Sequence, residues 1–242
     1  YNAPKDGYTL CTFHTPHIAL KLVRGDACPF SYEDFKPIAN FTTDPAAWLI
    51  NGKDKGKYPD FSALIEAAKA NPGKVSVACG GLNTSEGRLI KQIQSELGVE
   101  FKIVPIDSDA EFVATLRGGH VDALVTQIGD VMSVIEEGTF IPLVLGTAER
   151  VKELPEVPTL TELGYKIESF SMRSLAAPAG IPDEIYKTLC DAFTEAIQSE
   201  EVLSKAEELG ISVDYKTPDQ IQTIWKAIDE KNKADWAVAP WN

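Results

Sequence analysis

A turn of small residues between two regular segments is the part of this sequence best suited to binding an anion. Residues 80–85 read Gly-Gly-Leu-Asn-Thr-Ser and join a strand-like run, 74–79, to an amphipathic helical run that ends at Gly98. Small residues let a ligand approach the backbone closely, and the free N–H groups and dipole of a helix start favour negative charge. An ordinary capped helix start is the alternative explanation. The residues expected to bind the anion are Gly81, Asn83, Thr84 and Ser85.

Other candidates follow from the same chemistry. Arg88 lies about one turn inside the helix, where its guanidinium can form a bidentate pair with a carboxylate. Two more turns of the same kind occur at 13–17 and 126–130, and in an open α/β sheet such turns line the ligand crevice. The side chains that they contribute are His14, Thr15, Gln127 and Asp130.

Arg173 interrupts a largely apolar strand-like run, residues 170–175. If this strand connects two lobes, the arginine faces the cleft between them; a half-exposed strand whose arginine points to water explains it equally well.

Motifs of catalysis are absent from the 242 residues: there is no G-x-S-x-G, H-E-x-x-H, P-loop or dinucleotide-binding pattern. His14 and His17 flank Pro16, which works against the helical spacing that a two-histidine metal site needs. We therefore expect no enzyme, no metal site and no cofactor.

Alternating strand-like and helix-like runs predict an α/β protein. The strand-like runs are 8–13, 37–42, 47–50, 74–79, 101–104, 121–126, 141–145, 169–177 and 211–214. The helix-like runs are 61–70, 86–97, 109–116, 130–136, 183–198, 201–209 and 218–236. The middle of the chain holds a complete βαβαβαβ series, whereas the ends supply only one or two strands each. We expect two lobes, 1–45 with 169–242 and 46–168, each a mostly parallel sheet flanked by helices.

The charge balance of the chain limits the classes of molecule that it is expected to bind. There are 23 Lys and Arg against 36 Asp and Glu, a formal net charge of −13, which argues against binding to nucleic acid or to an anionic membrane. The longest apolar runs are shorter than the roughly 20 residues of a membrane span. The four cysteines fit either buried free thiols or a Cys11–Cys28 bridge.

Six short motifs occur in the order and spacing of a known family. They are D-G-Y-T-L at 6–10, D-F-K-P-I at 34–38, A-K-A-N-P-G-K at 68–74, L-R-G-G-H-V-D at 116–122, L-P-E-V-P-T at 154–159 and A-P-A-G-I-P at 177–182. In these motifs the chain resembles the periplasmic substrate-binding proteins of tripartite tricarboxylate transporters, also called the TctC or Bug family.

The resemblance implies a two-lobed, Venus-flytrap fold in a monomeric, extracytoplasmic receptor. Such a receptor closes on a small organic carboxylate and delivers it to membrane permease subunits. By motif position, ligand binding falls on Thr15 in lobe 1 and on Asn83, Thr84, Ser85 and Gln127 in lobe 2. We hypothesise that the Gly81–Ser85 turn and Arg88 hold the carboxylate, that Thr15 closes lobe 1 on it, and that Gln127, Asp130 and Arg173 discriminate among ligands.

The chain departs from the family pattern at several points. The family usually has His where Arg88 stands and commonly has Trp where Met172 stands. Family members also carry a leading strand and a glycine-rich ligand loop before D-G-Y-T-L, a segment that the chain lacks, so it is expected to be a fragment or a shortened relative. Two other functions fit the residues: a catalytic α/β protein acting on a carboxylate, and a carboxylate-sensing receptor.

Overall fold

The structure, a computed structural model, describes residues 1–16, 18, 29–82, 84–106, 108–209 and 211–238. It divides into two compact units. The terminal unit comprises Tyr1–Asp44 and Ser171–Asn242, and the middle unit comprises Pro45–Phe170.

Eight strands and seven α-helices, numbered in chain order, make up the regular structure of the described residues, together with two short 3-10 helices. The strands are β1 Cys11–Thr15, β2 Phe35–Asn51, β3 Ser76–Cys79, β4 Lys102–Pro105, β5 Ala123–Gln127, β6 Phe140–Leu145, β7 Phe170–Pro178 and β8 Val213–Lys216. The helices are α1 Phe61–Ala70, α2 Ser85–Leu97, α3 Asp109–Arg117, α4 Ile128–Glu136, α5 Asp183–Gln198, α6 Glu200–Glu208 and α7 Pro218–Val238. Over the same residues, no helix combines the length and apolarity of a membrane span.

Strand β2 is one continuous strand of 17 residues, where the sequence predicts two. It pairs with β8 as far as Thr42 in the terminal unit and with β5 from Ala46 in the middle unit. Pro45 lies between these two paired stretches, where its missing N–H disturbs neither ladder. The apparent break in the sequence is therefore the point at which the strand changes partners.

The sheet of the middle unit is mixed. β3 runs parallel to β4 and β5, and β2 runs antiparallel to both β5 and β6. The expected parallel arrangement therefore holds for β3, β4, β5 and β6. β2 is the exception, because it enters the unit beside the ends of β5 and β6 and runs back between them.

The terminal unit departs further from the expected parallel sheet. β1 pairs antiparallel with β7, and β2 pairs antiparallel with β8. Strand–helix alternation predicts parallel pairing only between strands joined by a helical crossover, and these partners come from distant parts of the chain. The expectation of a mostly parallel sheet is wrong for this unit.

Alternation along the central strands of the middle unit places side chains on two buried faces. Trp48 and Ile50 of β2 pack in one cluster with α1 and α2, and Ala47 and Leu49 pack in a second cluster with α3 and α4. Since successive strand residues point to opposite faces, near-continuous apolar strands require helices on both sides. This doubly covered sheet positions the starts of α2 and α4.

The terminal unit has its own core. Phe13 of β1 stacks against Trp225 of α7, with 4.1 Å between ring centroids, and Tyr32 and Phe35 also pack on the Phe13 ring. Both Phe13 and Trp225 are buried. Cys11, Cys79 and Cys190 are free thiols, and Cys28 lies outside the described residues.

Hydrogen bonds to Asp122 stabilise the edge of the middle sheet at which β3 and β5 begin. Its Oδ2 accepts hydrogen bonds from the backbone N–H and hydroxyl of Ser76 at 2.9 and 2.8 Å, and its Oδ1 accepts from Tyr58 at 2.9 Å and Lys57 at 2.7 Å. Burial alone raises the pKa of the carboxyl, and these hydrogen bonds outweigh it and lower the pKa to about 2.

We expect Asp122→Asn to lower the free energy of unfolding by about 2 kcal/mol at pH 7, since the native pKa lies well below the ordinary 3.8. Because the pKa of Asp122 is lower in the folded protein than in the unfolded chain, its ionised carboxylate stabilises the fold at pH values above the unfolded pKa. That stabilisation is lost as the pH falls through about 2. Urea denaturation at pH 7 and at successively lower pH measures both effects. Glu96→Gln, at an exposed position, is the control; equal stability of wild type and Asp122→Asn at pH 7 would contradict this role.

Candidate functional site

Three parallel strands of the middle unit end at one edge of its sheet. β3 ends at Cys79, β5 at Gln127 and β6 at Leu145. β2 enters at the same edge, with Ala46 opposite Gln127 and Ala47 opposite Leu145. We call this the carboxyl edge. It is the part of an open α/β sheet where ligands bind.

The turn before α2 is fixed by backbone contacts. Gly81 has φ 125°, a conformation that favours glycine. The Thr84 hydroxyl accepts a hydrogen bond from the Gly87 N–H at 3.2 Å and donates one to the Gly81 carbonyl at 2.9 Å, so Thr84 caps the helix. A Cβ on Gly87 would lie 2.2 Å from the Gly81 carbonyl oxygen, so the first turn of α2 rests directly on the turn backbone.

Ser85 and Gln127 meet at the carboxyl edge. The Gln127 amide nitrogen lies 3.5 Å from the Ser85 hydroxyl oxygen, and the two residues are 5% and 4% exposed. Ser85 begins α2, and Gln127 occupies the cap position of α4. The starts of two helices thus flank a buried pair of neutral polar side chains.

Acidic side chains stand in the first turns of both helices. Glu86 of α2 is buried at 7% exposure, and Asp130 of α4 is exposed and accepts a hydrogen bond from Thr126 at 3.4 Å. Carboxylates at these positions complement the helix dipoles and lower the attraction for an outside anion. Arg88 follows on α2 as a half-buried cation. Asn83 lies outside the described residues.

Three further candidates meet in the terminal unit. His14 of β1 stands opposite Arg173 of β7 in the antiparallel register, and an Arg173 guanidinium nitrogen lies 3.9 Å from an Asp44 carboxylate oxygen. Desolvation and then the charge of Arg173 lower the pKa of His14. Thr15 is fully buried, and within the described residues its hydroxyl has no hydrogen-bond partner. Such a buried hydroxyl favours a ligand or water contact.

The sequence did not single out Asp44. Its only local signal is that it precedes Pro45, while its ionic partner is distant in the chain. Over the residues that the structure describes, no group of three or more His, Cys, Asp or Glu side chains is placed to hold a metal ion.

Comparison with known proteins places this architecture among solute-binding proteins. The model of a family described as the tripartite tricarboxylate transporter family receptor, TctC, matches residues 1–238. Protein BugT of Bordetella pertussis is 29% identical over 218 residues, which cover 89% of this chain and 66% of that protein. A UPF0065 protein from the tcbD–tcbE intergenic region of Pseudomonas sp. strain P51 is 26% identical over 233 residues, 95% of this chain and 68% of that protein. The chain spans about two thirds of the length of these relatives.

Solved structures show the same fold. A TctC solute-binding protein from Polaromonas superposes with a TM-score of 0.85 at 22% identity, over 96% of this chain and 79% of that one. MatC from Rhodopseudomonas palustris, with bound malate, gives 0.76 at 22% identity over 96% and 80%. Another R. palustris protein, with adipate, gives 0.76 at 21% over 98% and 79%. The similarity confirms the predicted periplasmic-binding-protein fold class.

We expect Gly87→Ala to destabilise the protein by about 1–3 kcal/mol, because the new Cβ would overlap the Gly81 carbonyl and overpack the turn. Helix propensity alone predicts the opposite sign, a gain of about 1 kcal/mol. Urea denaturation decides between them. Gly56→Ala is the matched control, since its Cβ meets no described atom within 4 Å; a more stable Gly87→Ala would show that the contact yields easily.

The charge of Arg173 also has a spectroscopic signature. Arg173→Gln should raise the pKa of His14 toward its ordinary 6.5 without reaching it, because desolvation is the larger cause of the shift and remains. An NMR titration of the imidazole signals measures this change. Arg150→Gln removes a guanidinium from the middle unit and should leave His14 unchanged; an equal response to both substitutions would refute the cross-strand coupling.

Proposed function

The chain belongs to the tripartite tricarboxylate transporter receptor family, and from that premise we propose that it is a periplasmic solute-binding receptor for a small organic carboxylate. It retains its ligand without converting it. It delivers that ligand, as a monomer, to the permease subunits of a tripartite tricarboxylate transporter. The malate and adipate in two proteins of the same fold support a carboxylate as the ligand class.

The buried Ser85–Gln127 contact at the carboxyl edge is the observation that supports this function best. A hydroxyl and an amide at 4% and 5% exposure lie between two helix starts, and all of these groups can donate hydrogen bonds. Neutral donors held in place by the fold stabilise a carboxylate without reorganising when it arrives. The edge offers binding chemistry, and a receptor requires nothing more.

Two acidic side chains repel an anion at this site, so we propose that binding depends on the positive charge of Arg88. Glu86 is buried in the first turn of α2, and its negative charge opposes an anion at the same helix start. Arg88 lies two residues further along the helix, where its positive charge offsets that repulsion. We propose that Arg88 and the Gly81–Ser85 turn hold the carboxylate, and that Asp130 and Gln127 select among ligands.

The terminal unit has its own candidate donors. The buried hydroxyl of Thr15 and the guanidinium of Arg173 are both suited to an oxygen ligand, and His14 stands beside Arg173. We propose that Thr15 and Arg173 contact the ligand and that His14 tunes the electrostatics of Arg173.

Calorimetric titration with L-malate and adipate tests the proposal. Arg88→Ala should weaken binding about tenfold or more, taking a hydrogen bond to a charged group as about 1.5–3 kcal/mol. Glu86→Gln should strengthen binding, because it removes the opposing charge. Arg117→Ala makes the same change of charge as Arg88→Ala at the opposite edge of the sheet, where α3 ends, and should leave the affinity unchanged.

Several outcomes would contradict the proposal. Equal affinities of wild type and Arg88→Ala would remove Arg88 from the site. Conversion of malate or adipate during prolonged incubation, followed by NMR of the small molecule, would indicate an enzyme instead of a receptor. Failure of the wild-type chain to bind either compound would overturn the proposal for dicarboxylates of this size.

A further inference from the structure

Two buried hydroxyl groups near the carboxyl edge of the middle unit have no partner among the described residues. Within the described residues, the side-chain oxygens of Thr147 and Ser169 are shielded from solvent and form no hydrogen bond. Ser169 as a whole is 7% exposed. Thr147 follows β6 by two positions, and Ser169 immediately precedes β7.

A ring of three backbone hydrogen bonds joins the two chain segments that carry these residues. Ser169 donates to the Gly146 carbonyl at 2.7 Å, Gly146 donates to the Ala46 carbonyl at 2.8 Å, and Ala46 donates to the Ser169 carbonyl at 3.0 Å. A Cβ built on Gly146 would lie 3.3 Å from the Cβ of Ser169, so the two chain segments touch. Ala46 stands opposite Gln127, which places both segments at the edge that holds Ser85 and Gln127.

Packing alone does not account for unbonded hydroxyls at this point. Nearby hydroxyls of the same unit are bonded: that of Thr159 donates to the Ala148 carbonyl at 3.5 Å, and that of Thr126 donates to Asp130 at 3.4 Å. A buried polar group without a partner costs free energy, so one that persists calls for a water or ligand contact. Two such groups on adjoining segments at the carboxyl edge are suited to a shared partner.

We propose that Thr147 and Ser169 form a further ligand subsite of the middle unit, in which their hydroxyls donate hydrogen bonds to an oxygen-bearing group of the bound carboxylate. This inference rests on the proposed function and extends its site to two residues that the sequence motifs did not indicate. The subsite is neutral, so it recognises a hydroxyl or a second carboxylate by hydrogen bonding and without a permanent opposite charge.

Thr147→Val and Ser169→Ala remove the hydroxyls with little change of shape. For L-malate or adipate titrated calorimetrically into the full chain, each substitution should weaken binding by about 5- to 10-fold, the loss expected for one hydrogen bond. The melting temperature of the ligand-free variants should stay the same or rise, because no bond within the protein is lost. Thr159→Val is the matched control: it should lower the melting temperature, since it breaks hydrogen bonds to Ala148 and Glu162, and leave the affinity unchanged.

The remaining outcomes separate this inference from the proposed function. If the wild-type chain binds malate or adipate and both variants bind equally well, the subsite is refuted while the receptor function stands. If Thr147→Val melts as early as Thr159→Val, its hydroxyl has a partner inside the protein, and the subsite is again refuted. If the wild-type chain binds neither compound, the dicarboxylate receptor function is refuted, and the subsite with it.

Discussion

The hydrogen-bonded ring of Ala46, Gly146 and Ser169 is the constraint on which the rest of the middle unit depends. It joins the strand that enters the unit, the end of β6 and the segment that leaves the unit. Because β2 is fixed here and runs back between β5 and β6, its register determines where those strands end. The starts of α2 and α4 follow from that register, since both helices pack on the apolar faces of the sheet.

The two edges of the middle sheet contain opposite kinds of chemistry. At the edge where β3 and β5 begin, Asp122 has every oxygen bonded, and its hydrogen bonds hold the pKa of its carboxyl well below the ordinary value. At the carboxyl edge, Thr147 and Ser169 have hydroxyls without described partners. A charged network with all of its hydrogen bonds formed stabilises the fold. Unsatisfied neutral donors lower the stability of the ligand-free protein, and a ligand that bonds to them restores it. Under the proposed function, stability and recognition are therefore separated in space.

Local signals in the sequence predicted the helices well, but they did not predict how strands that are distant in the chain pair. The apolar face of α2, its Thr84 cap and its end at Gly98, with φ 61°, all follow from residues within the helix or beside it. The continuity of β2 through Pro45 and its antiparallel direction depend on partners far away in the chain. Asp44 and Ser169 were not predicted as site residues for the same reason: their contacts come from other strands and leave no pattern in the neighbouring residues.

The absent side chain at Gly87 has a consequence for how such a site changes over evolutionary time. The first turn of α2 lies against the Gly81 carbonyl, so backbone atoms alone define the position of the amide donors. Leu82 is exposed, so we expect substitutions of its side chain to leave those donors where they are. Under the proposed function, the anchor for the anion is thus insulated from the side chains that set ligand preference. New specificities become accessible by single substitutions that do not first abolish binding.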